Sequence, residues 1–449
     1  MTTASIPKNS LAKTVAIAVA GTSIEWYDFF LYGTAAALVF PKLFFAADLP
    51  PLVALLAAFS TFAVGFIARP VGGIVFGHFG DRFGRKRALI AALITMGLAT
   101  TLIGLLPTYA MAGPLAPLML VLLRFAQGLA IGGQWGGAIL LIVETAPKGQ
   151  RGYYGSFAQA GITIGVVLAN LVFLLANAYL SPEDFLSWGW RVPFLTSVLL
   201  IVIAIYIHFR LEETPLFREL QKRTAPVTEV GGRPAAGPAE GKVVSRSPVI
   251  EALQLYPKQI ILIAGAFMAL QVTFYILLTF VIAYGSSTTG LGLSRTAMLI
   301  AVMIGAALMA PAVIIGGAIS DKFGRRGIYL AGAVFLGIWS FVFFPLLETK
   351  SFLWIVVAVS GGFIGVGVMY GPQGAFIAET FATKVRYSGA SLGYQLGAII
   401  GGAFAPFIAT ALLAQFEDTF AIAVYMFLAC LVTIGCVLAL DETYQKDLD

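Results

Sequence analysis

The chain has 449 residues, of which 59% are hydrophobic and only 11% charged, against roughly 25% charged in ordinary soluble domains. A soluble fold of this length buries a large core but still needs far more charge to cover its surface, so lipid is the expected solvent. The net charge of +6 invites a nucleic-acid partner, and the placement of the bases argues against one.

A bilayer core takes about 20 apolar residues of helix. Spans of that kind are predicted at about 14–40, 52–77, 87–106, 115–142, 153–180 and 190–210, then at about 257–285, 296–320, 327–347, 351–377, 386–412 and 418–441. The residues before Thr14 are few and polar, and the stretch that follows is too long for a signal-peptide core. It is expected to be the first retained transmembrane helix. The fold class is therefore an all-α membrane protein of twelve transmembrane helices, with halves at 1–210 and 257–449.

With the N-terminus placed in the cytoplasm, 22 of the 28 bases fall in inner connections and tails. Four (Lys42, Arg191, Arg295 and Lys350) fall outside, and Arg69 and Arg124 lie within spans. Lys and Arg bias sets orientation, so both termini are expected inside. The positive charge then reads as a topology signal, with anionic inner-leaflet lipid as a secondary contact and no nucleic acid.

The interval 211–256 changes character. Thr214-Pro215 has N-cap and N1 chemistry for a short helix. Leu216, Phe217 and Leu220 form an apolar stripe opposite Arg218, Lys222 and Arg223, suited to the membrane surface. From Thr224 to Pro248 the chain is rich in Pro, Gly and Ala, which reads as a flexible cytoplasmic tether.

Two charged signatures recur across that tether. Gly77-His78-Phe79-Gly80-Asp81-Arg82-Phe83-Gly84-Arg85-Lys86-Arg87 is echoed at Gly317-Ala318-Ile319-Ser320-Asp321-Lys322-Phe323-Gly324-Arg325-Arg326-Gly327. Glu144-Thr145 with Arg151 is echoed by Glu379-Thr380 with Arg386. Two duplications at nearly one offset identify two related halves. Asp81 and Asp321 are placed to cap helix N-termini, and Arg85, Glu144, Arg151, Arg325, Glu379 and Arg386 to exchange partners across the inner face. The reading is a breakable latch, against a permanent topology anchor.

Four ionisable residues sit well inside spans: Glu25, Asp28, Arg69 and Arg124. Each costs about 2.5–3.5 kcal/mol at the centre of a lone helix, so they are expected to face one another or a wet cavity. Glu25, Asp28 and Tyr32 follow i, i+3, i+7 and share one face. Two neighbouring carboxylates in a poorly hydrated place cannot both stay charged cheaply, which suits Asp28 to carrying a proton, with Glu25 as competitor. Arg124 presents a planar cationic fork suited to a substrate carboxylate, with Gln127 on its face, Gln134 further along, and Tyr32 and Trp135 as further candidate substrate contacts. Arg69 is divided between substrate contact and pairing with Glu25 or a helix terminus.

The second half has no such charge in its spans. Gln271 and Tyr275, Tyr370 and Gln373, and Tyr394 and Gln395 supply hydrogen bonds and aromatic walls, for substrate or for packing. Charge recognition is expected in the first half and shape selection in the second. Cys430 and Cys436 read as apolar fillers, and His78 and His208 as interfacial. No metal-ligand spacing, nucleophile elbow or phosphate loop stands out, so neither an enzyme nor a cofactor is expected.

These residues resemble the major facilitator superfamily along the whole chain, through Gly77–Arg87 and its copy at Gly317–Gly327. More narrowly the chain is similar to the metabolite:H+ symporter family, through Glu25-Trp26-Tyr27-Asp28-Phe29, Arg69-Pro70-Val71-Gly72-Gly73, Arg124-Phe125-Ala126-Gln127-Gly128 and Glu212-Glu213-Thr214-Pro215-Leu216-Phe217. The resemblance implies two six-helix bundles, a central cavity, and proton-driven uptake across a bacterial inner membrane. Family members carry shikimate, 2-oxoglutarate, citrate and other organic acids, and also proline and betaine. Gln134, next to Trp135, stands where Glu is expected in several relatives, so any coupling duty of that Glu is absent or moved here. The expectation is a monomeric symporter of a small organic anion. Symport of a zwitterionic osmolyte, proton-antiport export and a non-transporting sensor are the alternatives.

Overall fold

The structure is a computed structural model that describes residues 8–83, 85–132, 142–143, 146–147, 149–199, 201–202, 248–288, 290–382 and 385–444. Among them every regular element is helical. The first half contributes α1 (Lys8–Leu38), α2 (Pro51–Phe83), α3 (Arg85–Leu105), α4 (Leu115–Gly132), α5 (Arg151–Tyr179) and the start of α6 (Val192–Leu195). The second contributes α7 (Pro257–Ser286), α8 (Arg295–Phe323), α9 (Arg325–Glu348), α10 (Phe352–Thr380), α11 (Ser388–Phe416) and α12 (Phe420–Ala439). Among the described residues nine helices are long and apolar enough to cross a membrane. The other three predicted spans fall on α1, which carries Glu25 and Asp28, on α3, and on α6.

Burial is distributed as a lipid solvent requires. On α4 Leu118 and Leu122 are exposed, Leu122 to 60%, while Arg124 and Gln127 on the opposite face are buried. A soluble helix shows the reverse pattern. The polar face of α4 turns inward because a guanidinium on the lipid side has no partner.

Several boundaries differ from the sequence expectation. α1 begins at Lys8 rather than near Thr14. The signature at Gly317–Gly327 is not a loop: α8 runs through Phe323 and breaks only at Gly324, whose φ of 95° suits glycine, before α9 starts at Arg325. Within the expected tether Pro248–Leu255 is a helix, and residues 203–247 lie outside the described residues. α7 and α11 each contain one wide π-type turn, at Ile276–Phe280 and Ala398–Ala403, a feature frequent at functional sites.

The halves meet along several seams, and α5 packs on α10 as well as on α8. α5 and α8 run antiparallel, with Gly152 against Gly317 at one end and Asn177 Nδ2 donating to Thr296 Oγ1 at the other, 3.0 Å. α1 meets α7 where Gly33 faces Thr279. α2 meets α7 and α11 where the Phe66 and Tyr275 rings pack at 5.0 Å against Gly402.

Candidate functional site

Arg69 on α2 and Arg124 on α4 lie where those seams converge, and both are 0% exposed. Arg124 Nη1 donates to Gln127 Oε1 at 3.1 Å, and its Nε reaches the Phe62 carbonyl at 3.5 Å. Gln127 Nε2 in turn donates to Thr100 Oγ1, 2.7 Å, and Thr100 to the Met96 carbonyl, 2.9 Å. The guanidinium carbon stands over the rings of Phe29 (4.1 Å), Tyr32 (4.2 Å) and Phe62 (4.8 Å). Gly65 makes room for this arrangement, since a Cβ there would run into the Arg124 side chain. Arg124 Nη2 has no hydrogen-bond partner.

Arg69 is held still less by polar groups. Its guanidinium carbon lies over Phe66 (4.2 Å), Phe29 (4.5 Å) and Trp26 (5.6 Å), and none of its three side-chain nitrogens is hydrogen-bonded. The Tyr275 phenol is near enough to interact electrostatically with both arginines, without forming a hydrogen bond of good geometry to Arg69. Aromatic faces are worth about 0.5–2 kcal/mol each to a cation. They replace only part of the hydration that a buried guanidinium has given up. The two arginines are thus a pair of buried cations with donors left over.

No ion pair joins either arginine to Glu25 or Asp28 among the described residues. Of the two surroundings expected for the arginines, the neighbouring carboxylates or a wet cavity, an ion pair with Asp28 is not the one formed. Asp28, 3% exposed, lies beside Ser197 on α6, and neither Asp28 Oδ1 nor Ser197 Oγ is hydrogen-bonded. Trp26, two positions away and so on the other side of α1, is the residue that reaches the centre. Glu25 is only partly buried. Tyr32 donates to Thr61 Oγ1 at 2.7 Å and gives its ring to Arg124. Gln127 and Tyr32, expected as substrate contacts, hold Arg124 in place in this conformation.

The centre itself is a small cavity of about 10 Å³, with Trp26, Gln271, Phe274, Tyr275, Tyr370 and Tyr394 among its walls, enough for roughly one water molecule. Gln271 Nε2 is buried there without a partner. Gln373, one turn from Tyr370 on α10, is buried with both amide atoms unpartnered, and Gln395 Oε1 is also unpartnered. The sequence reading missed Gln159 on α5, one turn before the cavity residue Ile162, whose amide is likewise buried with both atoms unpartnered. An amide side chain within the apolar and small-residue stretch Phe157–Ile162 is the signal that marks it. Gln134 and Trp135 lie outside the described residues.

A second cluster closes one end of the α5–α8 seam. Asp321 accepts from Gly152 N (2.9 Å) and Tyr153 N (2.8 Å) at the start of α5. Arg325 Nη1 binds Asp321 Oδ1 at 2.6 Å, while Nη2 and Nε reach the two oxygens of Glu379, each at 3.2 Å. Arg151 Nη1 adds a contact to Glu379 at 3.8 Å. Arg386 Nε donates to the Ala378 carbonyl at 2.8 Å, next to Glu379 in the chain. Glu442, just past α12, accepts from the backbone amides of Arg325 (2.9 Å) and Arg326 (3.0 Å), and Thr443 donates to Glu379 at 2.9 Å. The sequence reading missed these two residues. The signal was present: Asp441-Glu442-Thr443 after the twelfth span matches Glu212-Glu213-Thr214 after the sixth. The side chains of Asp81, Arg85 and Glu144 lie outside the described residues.

A profile described as Major Facilitator Superfamily matches residues 20–395. The chain is 38% identical to the inner membrane metabolite transport protein YhjE of Escherichia coli (strain K12) over 98% of this chain and 97% of that one. It is 38% identical to the shikimate transporter of the same organism over 95% and 93%. It is 31% identical to the proline/betaine transporter of Salmonella typhimurium over 99% and 86%. Its fold is similar to that of the xylose transporter XylE from E. coli in a partially occluded inward open conformation, with TM-score 0.72 and 17% identity, covering 98% and 100% of the two chains.

Proposed function

The chain belongs to the major facilitator superfamily and is a membrane transporter of that kind; from this premise we propose that it imports a small organic acid together with protons by alternating access. The observation that carries the reading is the pair Arg69 and Arg124, buried with unused donors and with no ion pair to a carboxylate among the described residues. A buried cation without a partner costs several kcal/mol, and an anionic guest removes that cost on arrival. The aromatic rings hold each guanidinium by its flat face and leave its edge, where the N–H groups point, for a carboxylate.

The cavity of about 10 Å³ is far below the several hundred Å³ of a ligand pocket, so the halves 1–210 and 257–449 must part to admit the guest. Asp28 is the proposed proton carrier and Glu25 its competitor. Because Asp28 lies toward α6 rather than the cavity, coupling on this reading runs through the movement of α1. The proposed orientation places both termini in the cytoplasm, in the inner membrane of a bacterium, with the protein acting as a monomer.

Relatives named for proline and betaine make a zwitterionic cargo the second reading. A quaternary ammonium group is recognised by aromatic faces. Here the faces of Trp26, Phe29 and Phe66 are already covered by Arg69, a like charge. Uptake of radiolabelled carboxylates into proteoliposomes under an imposed inward proton gradient tests the proposal. Accumulation that collapses with the gradient is expected, and uptake indifferent to it would count decisively against proton coupling.

A further inference from the structure

We infer that the end of the molecule remote from Asp321 carries a second binding site, for a small anion, between Lys42 of the first half and Arg295 of the second. It lies apart from the central arginines and does not depend on the organic-acid reading.

The course of the helices brings both residues to that end. α1 runs parallel to α5, with Gly161 against Val19 and, further along, Thr34 Oγ1 donating to Asn170 Oδ1 at 3.2 Å. Lys42 follows α1 in a short helical turn, Phe40–Leu43. Arg295 opens the antiparallel α8, next to the Thr296 that meets Asn177. From there its guanidinium reaches across the seam to the Phe185 ring of the first half, 5.6 Å from the centroid. Phe185 belongs to a run of packed rings: Phe185 to Phe173 at 6.5 Å, Phe173 to Phe194 at 6.3 Å, and Phe194 to Phe40 at 6.2 Å. Phe40 leads to Lys42, so one aromatic floor of the first half lies beneath both cations.

Arg191, another base of this end, is answered within its own half: its Nη1 donates to the carbonyls of Gly104 (2.8 Å) and Leu106 (2.7 Å) at the close of α3. Lys42 and Arg295 form no hydrogen bond or ion pair among the described residues. What they have is each other. Burial, and then the Arg295 guanidinium, draw the Lys42 ammonium below its ordinary pKa. A neighbouring carboxylate would push the other way.

Like charges over an apolar floor repel more strongly than in open water. Arg295 is half-buried and Lys42 exposed at its edge, so an ion can enter between them. An ammonium and a guanidinium supply donors alone, and the ligand that suits them is a small acceptor of negative charge. The two bases belong to different halves, so parting of the halves separates them and takes the site apart. Closure of this end is therefore opposed by their repulsion and favoured by the anion, which binds one conformation better than the other.

The test uses the full chain in nanodiscs of phosphatidylcholine, which adds no net lipid charge. Spin labels at Tyr179 and Leu353, both exposed near the ends of α5 and α10 remote from Asp321, report the separation of the halves by pulsed electron spin resonance. Chloride or formate replaces a bulky organic sulfonate at constant ionic strength. For a site half-filled at about 10 mM, about 100 mM of anion should raise the ratio of closed to open forms about ten-fold. In Lys42→Gln the closed form should be favoured without anion and the response should vanish, while Lys42→Arg keeps it. Arg295→Gln should also lose the response. A shift with formate and not with chloride supports the site and narrows its ligand to carboxylates. Distances indifferent to both anions, or a response that survives Lys42→Gln and Arg295→Gln, would overturn the inference and leave the organic-acid reading untouched. A formate response lost in Arg69→Met and kept in Lys42→Gln would place the anion at the centre and overturn it as well.

Discussion

Asp321, in the last turn of α8, reaches across the seam between the halves to the backbone of Gly152 in the first turn of α5, 2.9 Å away. A carboxylate at its own helix C-terminus is unfavourable, whereas at another helix's N-terminus it satisfies free amides and opposes the positive end of the dipole. Asp321 therefore gains by crossing between halves what it loses within its own. Arg325, bridging Asp321 and Glu379, keeps the carboxylate aimed.

Asp321→Asn should weaken closure of this end. A cap of this kind is worth about 0.5–2 kcal/mol, so the closed population should drop by roughly 2- to 30-fold relative to the open one. Spin labels placed on the first turns of α5 and α9 would read the shift as longer distances in pulsed electron spin resonance. An unchanged distance distribution would remove Asp321 from the latch.

Gly317→Val should have a stronger effect at the same place. A Cβ at Gly317 would meet the Gly152 carbonyl at 2.5 Å and the Ser156 Cβ at 2.7 Å, closer than atoms pack. The protein is expected to fold, bind its guest and fail to transport it, because α5 and α8 can no longer close. Substrate binding in detergent alongside transport in proteoliposomes separates these outcomes. Normal transport would show that the seam does not need to close so tightly.

Arg69→Met should make the protein more stable and inactive. The substitution removes three unpartnered buried nitrogens and keeps an unbranched side chain among Phe29 and Phe66. A gain of about 1–3 kcal/mol is expected from ending the desolvation penalty, visible as a higher melting temperature in detergent. Organic-acid affinity should fall by about ten-fold or more, as loss of a charged hydrogen-bonding partner implies. A less stable variant that still binds would show that Arg69 is a structural cation.

Asp28→Asn should abolish accumulation driven by a proton gradient and spare exchange of internal for external cargo. The neutral amide keeps the volume beside Ser197 and removes the proton-binding function. Parallel counterflow and gradient-driven assays on the same proteoliposomes check this. Full gradient-driven accumulation would transfer the proposed role to Glu25.

The helical architecture was legible because lipid imposes a one-dimensional rule: each crossing needs a long apolar run whatever its neighbours are. That rule marked Pro257 as the start of the seventh span, where α7 begins. It also singled out Arg69, Arg124 and Asp28 as residues whose cost demands a reason. The tally of charges inside spans requires no knowledge of which helices touch.

Their partners were a different matter. Spacing on α1 placed Glu25, Asp28 and Tyr32 on one face, but a face does not say which helix lies opposite. Packing sent Asp28 to Ser197 on α6 and Tyr32 to Thr61 and Arg124 on α2 and α4. Phe29, a bland residue in sequence, proved to stand under both guanidiniums. The grip of Asp321 on α5 and of Glu442 on the start of α9 joins residues 169 and 117 positions apart. The sequence by itself determined that this chain crosses a bilayer in two related halves and that a few charges are held there against their solvation. Only the tertiary structure decided that Arg69 and Arg124 answer to aromatic rings and that Asp321 answers to backbone amides of the other half, because cation–π and helix-end contacts are made by neighbours in space and leave no periodic trace along the chain.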